Sequence, residues 1–596
     1  MLDLIAASPL HPLLAGGIGQ IRDRIMHGLT TDARLADTGI AITMPSADAG
    51  SLMICHDLGY RPVMTAHASV DQIRTDIAII GAGFAGIGMA IALDKSGRGD
   101  YIILEKAAEI GGTWRENTYP GCACDIRSLL YSFSFEPKRD WSRQFPRQPE
   151  ILAYLHQCVD RYDIARHIEF GAEAVSMAYD DATGRWTVRL ADGRSVDCRV
   201  LMAGMGPLHQ PNIPRIPGAM DFAGPQFHSA QWDHSIDLAG KRVAVVGTGA
   251  SAIQFVPQIA KQAAQVTVFQ RTPPWVLPKP DRPLSDRLHR LFATVPGFQR
   301  AYRWLIYWEA EATIVTFTTP RLAGLGERVA KSFIARQLVD PELRQQVTPS
   351  FKIGCKRVLL ANDYYPTLAE PHVRLVTEAV SAITQTGVTS ADGTEHPADV
   401  IVYGTGFHVT DAFDHADITG AGGVRITDAW SDGAEAYLGL AVAGFPNLFV
   451  LLGPNSGLGH NSMIFMIESQ VHYVLRCLDL IDKRGPLAVS DQAQREFNSD
   501  LQRRLKSSVW SVGGCVSWYL DPAGVNRAIW PGSTVRYWRK TRRPAPHHFE
   551  SVVASHANAS AAEGQPTAAG GPVATSQPVS PAQPAAASQS PAASQS

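Results

Sequence analysis

The stretch Gly81-Ala82-Gly83-Phe84-Ala85-Gly86 fits G-x-G-x-x-G, directly after the mostly β-branched run 77–80 and directly before an Ala- and Ile-rich segment. Strand, glycine turn and helix in this order are typical of a dinucleotide-binding unit. The glycines permit a tight turn and let backbone N–H groups approach a pyrophosphate. Gly81, Gly83 and Gly86 are therefore predicted to bind a nucleotide cofactor.

A second unit of the same kind follows the apolar run 243–246. It reads Gly247-Thr248-Gly249-Ala250-Ser251-Ala252, with alanine at the third small position. We expect Gly247, Gly249 and Ser251 to bind a second nucleotide. Recurring strand, glycine turn and helix indicate an α/β fold with two Rossmann-like dinucleotide-binding domains.

The residues that end the next strand differ between the two units. Glu105 stands 24 residues after Gly81, and Arg271 stands 24 residues after Gly247. A carboxylate accepts hydrogen bonds from ribose hydroxyls, whereas a guanidinium binds a ribose phosphate that a carboxylate would repel. A lone match could be an ordinary strand-to-helix turn, but two matches with equally spaced partners predict FAD in the first unit and NADPH in the second.

Composition is ordinary for a soluble globular protein, and charge makes a small-molecule role the default. The 596 residues are 45% apolar and 18% charged, with a net charge of −2 that offers no basic field for nucleic acid. Eight cysteines without a disulfide-scaffold spacing predict reduced thiols and a cytoplasmic location, and the lone pair Cys122 and Cys124 predicts no metal site. Neither the N-terminal residues nor the interrupted apolar run 437–453 predicts a secretory signal or a transmembrane segment.

The pattern along the chain predicts six segments. They are an N-terminal extension of uncertain structure (1–70), a first part of the FAD-binding domain (71–211), a linker (212–235), an NADP-binding domain (236–395) with a helical insert at about 275–348, a second part of the FAD-binding domain (396–548) and a disordered Ala/Ser/Pro/Gln-rich tail (549–596). The apolar faces of the insert favour buried helix packing over a substrate channel or a membrane contact, both of which stay open.

Two longer motifs carry a family resemblance. The first comprises Gly111-Gly112-Thr113-Trp114, Tyr119-Pro120-Gly121 and Asp125, and the second comprises Phe222, Gly224, His228, Trp232 and Asp233. They resemble the two fingerprints of type I Baeyer-Villiger monooxygenases at every defined position. Further similar segments extend the resemblance over roughly residues 74–540, with one departure, Gly404, where the family usually has alanine.

This resemblance implies an FAD- and NADPH-dependent enzyme that converts ketones to esters or lactones with O2 through a C4a-peroxyflavin. It implies that Arg357 is the catalytic arginine and that Asp125 orients it; a structural surface ion pair is the alternative. It further implies roles for other residues: Gly112, Thr113, Trp114 and Asp125 at FAD, Arg271, Thr272 and Lys356 at the NADP 2′-phosphate, Trp518 over the nicotinamide unless it is a core aromatic, and Phe222, Gly224, His228 and Trp232 in positioning the linker.

Three rival functions remain at this stage. An N- or S-oxidising flavin monooxygenase has similar nucleotide sites but lacks the second fingerprint. A disulfide reductase needs a redox cysteine pair at a spacing that Cys122 and Cys124 do not have. A catalytically silent nucleotide-binding scaffold is a third alternative, because a fold does not guarantee turnover. The sequence specifies neither the natural ketone nor an oligomeric state.

Overall fold

The structure is a computed structural model that describes residues 72–208, 210–409 and 417–552. The predictions for residues 1–70 and for the tail beyond 552 lie outside these residues. The strands are β1 (Gln72–Ile80), β2 (Tyr101–Glu105), β3 (Ile168–Phe170), β4 (Ala174–Asp180), β5 (Arg185–Leu190), β6 (Ser195–Ala203), β7 (Gln226–His228), β8 (Arg242–Val246), β9 (Gln265–Phe269), β10 (Val276–Leu277), β11 (Leu359–Leu360), β12 (Val373–Val376), β13 (Val380–Thr384), β14 (Gly387–Ser390), β15 (Glu395–Pro397), β16 (Val400–Tyr403), β17 (Asp417–Thr419), β18 (Leu448–Val450), β19 (Leu487–Val489) and β20 (Phe549–Ser551).

The α-helices alternate with these strands through much of the chain. They are α1 (Phe84–Lys95), α2 (Thr113–Glu116), α3 (Gln148–Arg161), α4 (Ala252–Ile259), α5 (Asp286–Thr294), α6 (Phe298–Ala312), α7 (Ile314–Thr318), α8 (Ala323–Gln337), α9 (Pro341–Gln346), α10 (Tyr364–Leu368), α11 (Ile426–Ala429), α12 (Met463–Arg484), α13 (Asp491–Leu505), α14 (Val509–Val512) and α15 (Thr534–Lys540).

The first unit is built on an eight-stranded sheet of order β17-β4-β5-β6-β1-β2-β3, with β18 also paired to β6. Strand β1 lies between β2 and β6 and is parallel to both. Ile77, Ala78 and Ile79 are fully buried because helices cover the sheet, and α1 and α12 pack against each other. The β1–α1–β2 crossover places the first glycine motif at the carboxyl end of β1, where open α/β sheets bind ligands.

The second unit is a five-stranded, all-parallel sheet of order β12-β9-β8-β16-β7. The β8–α4–β9 crossover carries the second glycine motif, and β7 is formed by residues 226–228 of the second fingerprint. The prediction of an α/β fold with two Rossmann-like units is confirmed. A small antiparallel sheet of β13, β14 and β15 extends the second unit and was not predicted.

Helices α5 to α9 form the insert, and they lie between β10 and β11. These two short strands pair in parallel, and Leu359 N–H donates to the Trp275 carbonyl oxygen at 2.9 Å. The pairing brings the two ends of the insert together, as expected for an excursion from one domain. It also fixes the segment just before β11, which contains Lys356 and Arg357.

One boundary of the sequence analysis is wrong. The tail was expected to be disordered from residue 549, but β20 pairs antiparallel with β19. Phe549 is buried, and its backbone bonds to a strand some 60 residues earlier in the chain. Composition could not reveal this pairing, because the apolar ring of Phe549 stands alone beside polar residues.

Candidate active site

The first glycine loop leaves its backbone accessible at Gly83. A Cβ at Gly81 would lie 2.9 Å from the Gly204 carbonyl oxygen, and one at Gly86 would lie 2.0 Å from the Gly81 carbonyl oxygen. At Gly83 the nearest atom would be the Cα of Gly112 at 3.8 Å. The first and third glycines therefore permit close strand–helix packing, and the second leaves space at the start of α1 for a pyrophosphate.

The first fingerprint packs against this glycine loop. Gly112 has a φ of 51° and directly precedes α2, which begins at Thr113. Trp114 is buried, and its Nε1 donates to the Tyr131 hydroxyl at 3.1 Å. Because Gly112 lies against Gly83, the structure brings Gly112, Thr113 and Trp114 to the predicted FAD site.

Glu105 ends β2 and is buried beside the glycine loop. Its Oε2 accepts from Ala82 N–H at 2.9 Å, while Oε1 accepts from Ala107 N–H at 3.0 Å and from Arg115 Nη1 at 2.9 Å. A carboxylate has about four acceptor positions, so one remains for a ribose hydroxyl. Sequence reasoning missed Arg115, which no motif position marks.

The second glycine loop packs against Gly404 in the same way as the first packs against Gly204. A Cβ at Gly247 would lie 2.5 Å from the Gly404 carbonyl oxygen, whereas one at Gly249 would lie 3.7 Å from the same atom. Ser251 directly precedes α4. The alanine usual in the family at position 404 would lie 3.2 Å from the Cβ of Ala252, so it would fit with a small shift. Gly404 therefore leaves the packing of this loop intact.

Arg271 and Lys356 form a cationic pair beside this loop. Burial lowers the pKa of Lys356, and the nearby positive charge of Arg271 lowers it further. In the described part of the chain no carboxylate forms an ion pair with either side chain. Thr272 follows Arg271, and its carbonyl oxygen accepts from Thr248 Oγ1 at 3.5 Å. Two adjacent cations repel each other, so the arrangement suits a bound dianion such as a ribose 2′-phosphate.

Arg357 and Asp125 form a two-pronged ion pair across 232 residues of sequence. Arg357 Nε donates to Oδ2 at 3.0 Å, and Nη2 donates to Oδ1 at 2.8 Å and to Oδ2 at 2.7 Å. Both nitrogens lie on one edge of the guanidinium, and no described residue accepts from Nη1. The Arg357 side chain remains 38% exposed, so its Nη1 edge can interact with a ligand.

Electrostatics keep both members of this pair charged. Although burial by itself would raise the pKa of Asp125, the charge and hydrogen bonds of Arg357 hold it below its ordinary value. The Asp125 charge likewise raises the pKa of Arg357. Lys279 adds positive charge nearby, and its Nζ donates to the Cys124 carbonyl oxygen at 3.1 Å. A permanent positive charge at this position is therefore a property of the fold.

The prediction that all cysteines are reduced is wrong for two of them. Cys355 and Cys515 form a disulfide, with their Cα atoms 6.1 Å apart and a sequence separation of 160. The bond joins the segment before Lys356 to the loop that leads to Trp518. Spacing in sequence could not reveal it, because the fold alone brings these two loops together.

Trp518 lies in the loop that this disulfide holds. The side chain is 44% exposed, and its ring centroid lies 4.3 Å from that of Tyr519. The alternative of a core aromatic is therefore wrong. Tyr519 is buried and lies close enough to Arg357 to interact with its charge. Tyr519 thus links the loop of Trp518 to the Arg357–Asp125 pair.

We expect the disulfide to be measurable by thiol counting. Alkylation of denatured protein before and after reduction, followed by intact mass measurement, should label two more cysteines in the reduced sample. Peptide mapping should assign both to Cys355 and Cys515. The variant Cys198→Ala, which removes a buried free thiol, should leave that difference of two unchanged. An equal count with and without reduction would contradict the bond.

The second fingerprint has a structural function in the fold. His228 ends β7, is fully buried, and accepts from Ala230 N–H through Nδ1 at 3.1 Å. Burial lowers the pKa of His228 to about 4, so the ring is neutral near pH 7. Trp232 packs against Phe255 of α4, with ring centroids 5.4 Å apart. These contacts fix the linker against the second unit.

The other two residues of this fingerprint pack tightly together. Phe222 is buried, and a Cβ at Gly224 would lie 2.3 Å from the Asp399 carbonyl oxygen and 2.8 Å from the Phe222 ring. Glycine is therefore required by close approach of the linker to the strand that follows Asp399. Among the described residues, the linker residues form no hydrogen bond, ion pair or ring contact with Arg357.

Gln254 joins the two units and was missed by sequence reasoning. Its Oε1 accepts from the Tyr119 hydroxyl at 3.0 Å and from Ala123 N–H at 3.2 Å, while Nε2 donates to the Ala123 carbonyl oxygen at 3.0 Å. A Cβ at Gly121 would lie 2.7 Å from the Gln254 carbonyl oxygen. The first fingerprint therefore packs on α4 of the second unit, next to the second glycine loop.

Cys122 and Cys124 lie in this fingerprint as buried thiols. Burial raises the pKa of Cys122 to about 12 and also raises that of Cys124. Across residues 72–208, 210–409 and 417–552 no cluster of three or more His, Cys, Asp or Glu side chains could hold a metal ion. In the same ranges, no helix is long and apolar enough to span a bilayer.

Comparisons with known proteins identify a matching family model and several relatives of this chain. Residues 78–291 match a family model described as pyridine nucleotide-disulphide oxidoreductase. A Baeyer-Villiger monooxygenase of Pseudomonas aeruginosa is 48% identical over 471 residues, which cover 78% of this chain and 89% of that protein. A Baeyer-Villiger monooxygenase of Streptomyces coelicolor is 44% identical, with 80% of this chain and 93% of that protein covered.

Solved structures agree with the sequence relatives. Cyclohexanone monooxygenase from Rhodococcus sp. Phi1 bound to NADP+ aligns with a TM-score of 0.73 at 28% identity, covering 80% of this chain and 99% of that one. An oxidised steroid monooxygenase bound to NADP aligns with a TM-score of 0.72 at 31% identity over the same shares of the two chains.

Proposed function

The chain belongs to the Baeyer-Villiger monooxygenase family, and on this premise we propose that it oxidises a ketone with O2 and NADPH to an ester or lactone. It is an FAD- and NADPH-dependent flavin monooxygenase. The proposed reaction consumes one ketone, one O2, one NADPH and one proton, and releases the ester, NADP+ and water. The Arg357–Asp125 pair is the observation on which this proposal rests.

The residues present fit both cofactors. Around the first glycine loop, Gly81, Gly83, Gly86, Gly112, Thr113 and Trp114 would hold the FAD pyrophosphate side, with Glu105 at the ribose. Around the second, Gly247, Gly249 and Ser251 would hold NADPH, with Arg271, Thr272 and Lys356 at its 2′-phosphate. The observations in favour are the open backbone at Gly83 and Gly249, and the cations Arg271 and Lys356, which form no ion pair with any residue that the structure describes.

Bound FAD would supply the redox chemistry that activates O2, and the protein would have to provide a fixed positive charge beside the reacting oxygen. We assign this task to Arg357. Its charge persists at any working pH, and its free Nη1 edge can donate to a developing oxyanion on the ketone. Asp125 binds the opposite edge, so the guanidinium is held in orientation before substrate arrives.

Trp518 and the linker have supporting tasks in this proposal. The exposed indole of Trp518 can cover the nicotinamide side and exclude water from the reacting atoms. His228 is assigned to positioning and not to acid–base chemistry, because burial lowers its pKa to about 4. Phe222, Gly224 and Trp232 hold the same linker against the second unit.

Product identification tests the proposal directly. The holoprotein is incubated with NADPH, O2 and a panel of cyclic and linear ketones plus a sulfide and a tertiary amine, and products are identified by mass. We expect a product that is heavier than the ketone by one oxygen atom. Its fragmentation pattern should identify it as an ester or lactone. Sulfoxide or N-oxide formation without ester would favour the N- or S-oxidising alternative. No oxygen transfer to any compound would favour a silent scaffold.

A further inference from the structure

Helix α6 of the insert exposes two tryptophans on one face. Trp304 is 63% exposed and Trp308 is 43% exposed, and their ring centroids lie 6.0 Å apart. With Glu311 they stand at positions i, i+4 and i+7, which share one helix face. Large aromatic side chains are normally buried, so exposed indoles on one face indicate an interaction surface.

Helix α15 continues this surface. The Glu311 carboxylate accepts from Thr534 N–H and from Thr534 Oγ1, each at 2.7 Å, so the start of α15 lies against α6. Trp538 follows Thr534 by four residues on the same face and is 42% exposed. The Arg542 guanidinium lies 4.9 Å from the centre of the Trp538 ring. Three exposed indoles therefore lie on the adjoining faces of two neighbouring helices.

A cluster of cations lies beside the Trp538 indole. Arg539, Arg542 and Arg543 are exposed and line one surface depression. Within the described ranges none of the three forms an ion pair, whereas Arg536 in the same helix lies 3.9 Å from Asp500. Unpaired guanidinium groups gathered in one place repel each other in the free protein, and anionic groups would relieve that repulsion.

We propose that this tryptophan–arginine surface, made of Trp304, Trp308, Trp538, Arg539, Arg542 and Arg543, binds the surface of an anionic phospholipid bilayer. Indole rings prefer the boundary between headgroups and acyl chains, because one part of the ring is apolar and its N–H is polar. Arginine binds phosphate through two parallel hydrogen bonds. The contact is peripheral, and it is independent of the oxygenation that we propose for the site.

Charge argues against the other occupants. Two copies that met through this surface would bring their arginine clusters towards each other, which costs free energy. A nucleic acid would be bound by a broader basic field than a chain of net charge −2 offers. A bilayer satisfies both halves of the surface at once, since its phosphates meet the arginines and its glycerol region accepts the indoles.

Vesicle flotation of the full-length holoprotein tests the proposal. Vesicles of phosphatidylcholine with phosphatidylglycerol should carry the protein upward at low salt, and vesicles of phosphatidylcholine alone should carry much less. Each basic residue at an anionic bilayer contributes about fivefold in affinity. The triple variant Arg539→Gln/Arg542→Gln/Arg543→Gln should therefore bind on the order of 100-fold more weakly.

Two further variants separate a lipid surface from general electrostatic adsorption. Arg189→Gln/Lys241→Gln/Lys261→Gln removes the same charge from exposed positions elsewhere, and it should retain binding. Trp304→Ser/Trp308→Ser keeps every charge and should still lose binding. Unchanged melting temperature and unchanged FAD content would show that each variant is folded.

Three kinds of result would overturn the proposal. The first is absence of flotation with phosphatidylglycerol vesicles at low salt. The second is an equal loss of binding in the control triple variant, or full binding by the tryptophan variant. The third is a concentration-dependent dimer in sedimentation velocity that the arginine and tryptophan variants dissociate, which would identify the surface as a contact between copies of this chain.

Discussion

Arg357→Ala is expected to abolish most ester formation while leaving the flavin bound and reducible. Removing one preorganised electrostatic group from a site of developing negative charge lowers the rate by about 10²- to 10³-fold. Here the loss also leaves the Asp125 carboxylate without its partner, since Arg357 supplies all three of the hydrogen bonds between them. The measurements are ester yield per NADPH consumed, the flavin absorbance spectrum, and the rate of anaerobic flavin reduction by NADPH.

The matched control for this variant is Arg357→Lys. Lysine keeps the charge but cannot reproduce the two-pronged contact with Asp125, so we expect partial activity between that of wild type and alanine. Reduction of the flavin by NADPH should stay near wild type in both variants. If Arg357→Ala made ester at a near-normal rate, the role assigned to Arg357 would be wrong, although family membership would stand.

Arg271→Ala is expected to change cofactor preference. Each hydrogen bond from a charged donor to phosphate contributes about 1.5–3 kcal/mol, so KM for NADPH should rise about 10- to 100-fold. KM for NADH, which has no 2′-phosphate, should change little. Steady-state kinetics with both nucleotides measure the ratio, and calorimetry with adenosine 2′,5′-bisphosphate measures the phosphate contact without turnover.

Lys356 provides a graded comparison for that experiment. Arg271 lies close enough to lower the pKa of Lys356, so the two cations serve one anion and their effects should not add independently. Lys356→Met should weaken NADPH binding less than Arg271→Ala. The lysine contributes only a point charge, whereas the arginine can bind the phosphate through two parallel hydrogen bonds. Equal rises in KM for NADPH and NADH in Arg271→Ala would remove the 2′-phosphate assignment.

Local pattern was enough to predict the nucleotide units. Gly81, Gly83 and Gly86 follow a strand directly, and a Cβ at Gly86 would meet the carbonyl oxygen of Gly81, only five residues earlier in the chain. Glu105 and Arg271 could be found for the same reason, since Glu105 ends the strand after its glycine loop and Arg271 lies two residues beyond the end of the corresponding strand. Boundaries were less accurate: β1 begins at Gln72, five residues before the apolar run that indicated it.

Contacts between distant segments were not predicted from the sequence when no motif marked the residues involved. Gln254 meets Tyr119 and Ala123 across the two units, and Cys355 meets Cys515 across 160 residues. Asp125 and Arg357 were paired in advance because both stand in family motifs. Their two-pronged geometry came from the structure alone.

The sequence by itself therefore determined the α/β class, the two nucleotide units, the acid–base contrast of Glu105 and Arg271, and the family. These features depend on the spacing of neighbouring residues along one strand, turn and helix. Only the tertiary structure decided how Arg357 is held, that Trp518 is exposed, and that Trp304, Trp308 and Trp538 lie on adjoining faces. The physical reason is that burial, charge pairing and covalent bonding act between atoms that are close in space, whatever their separation along the chain.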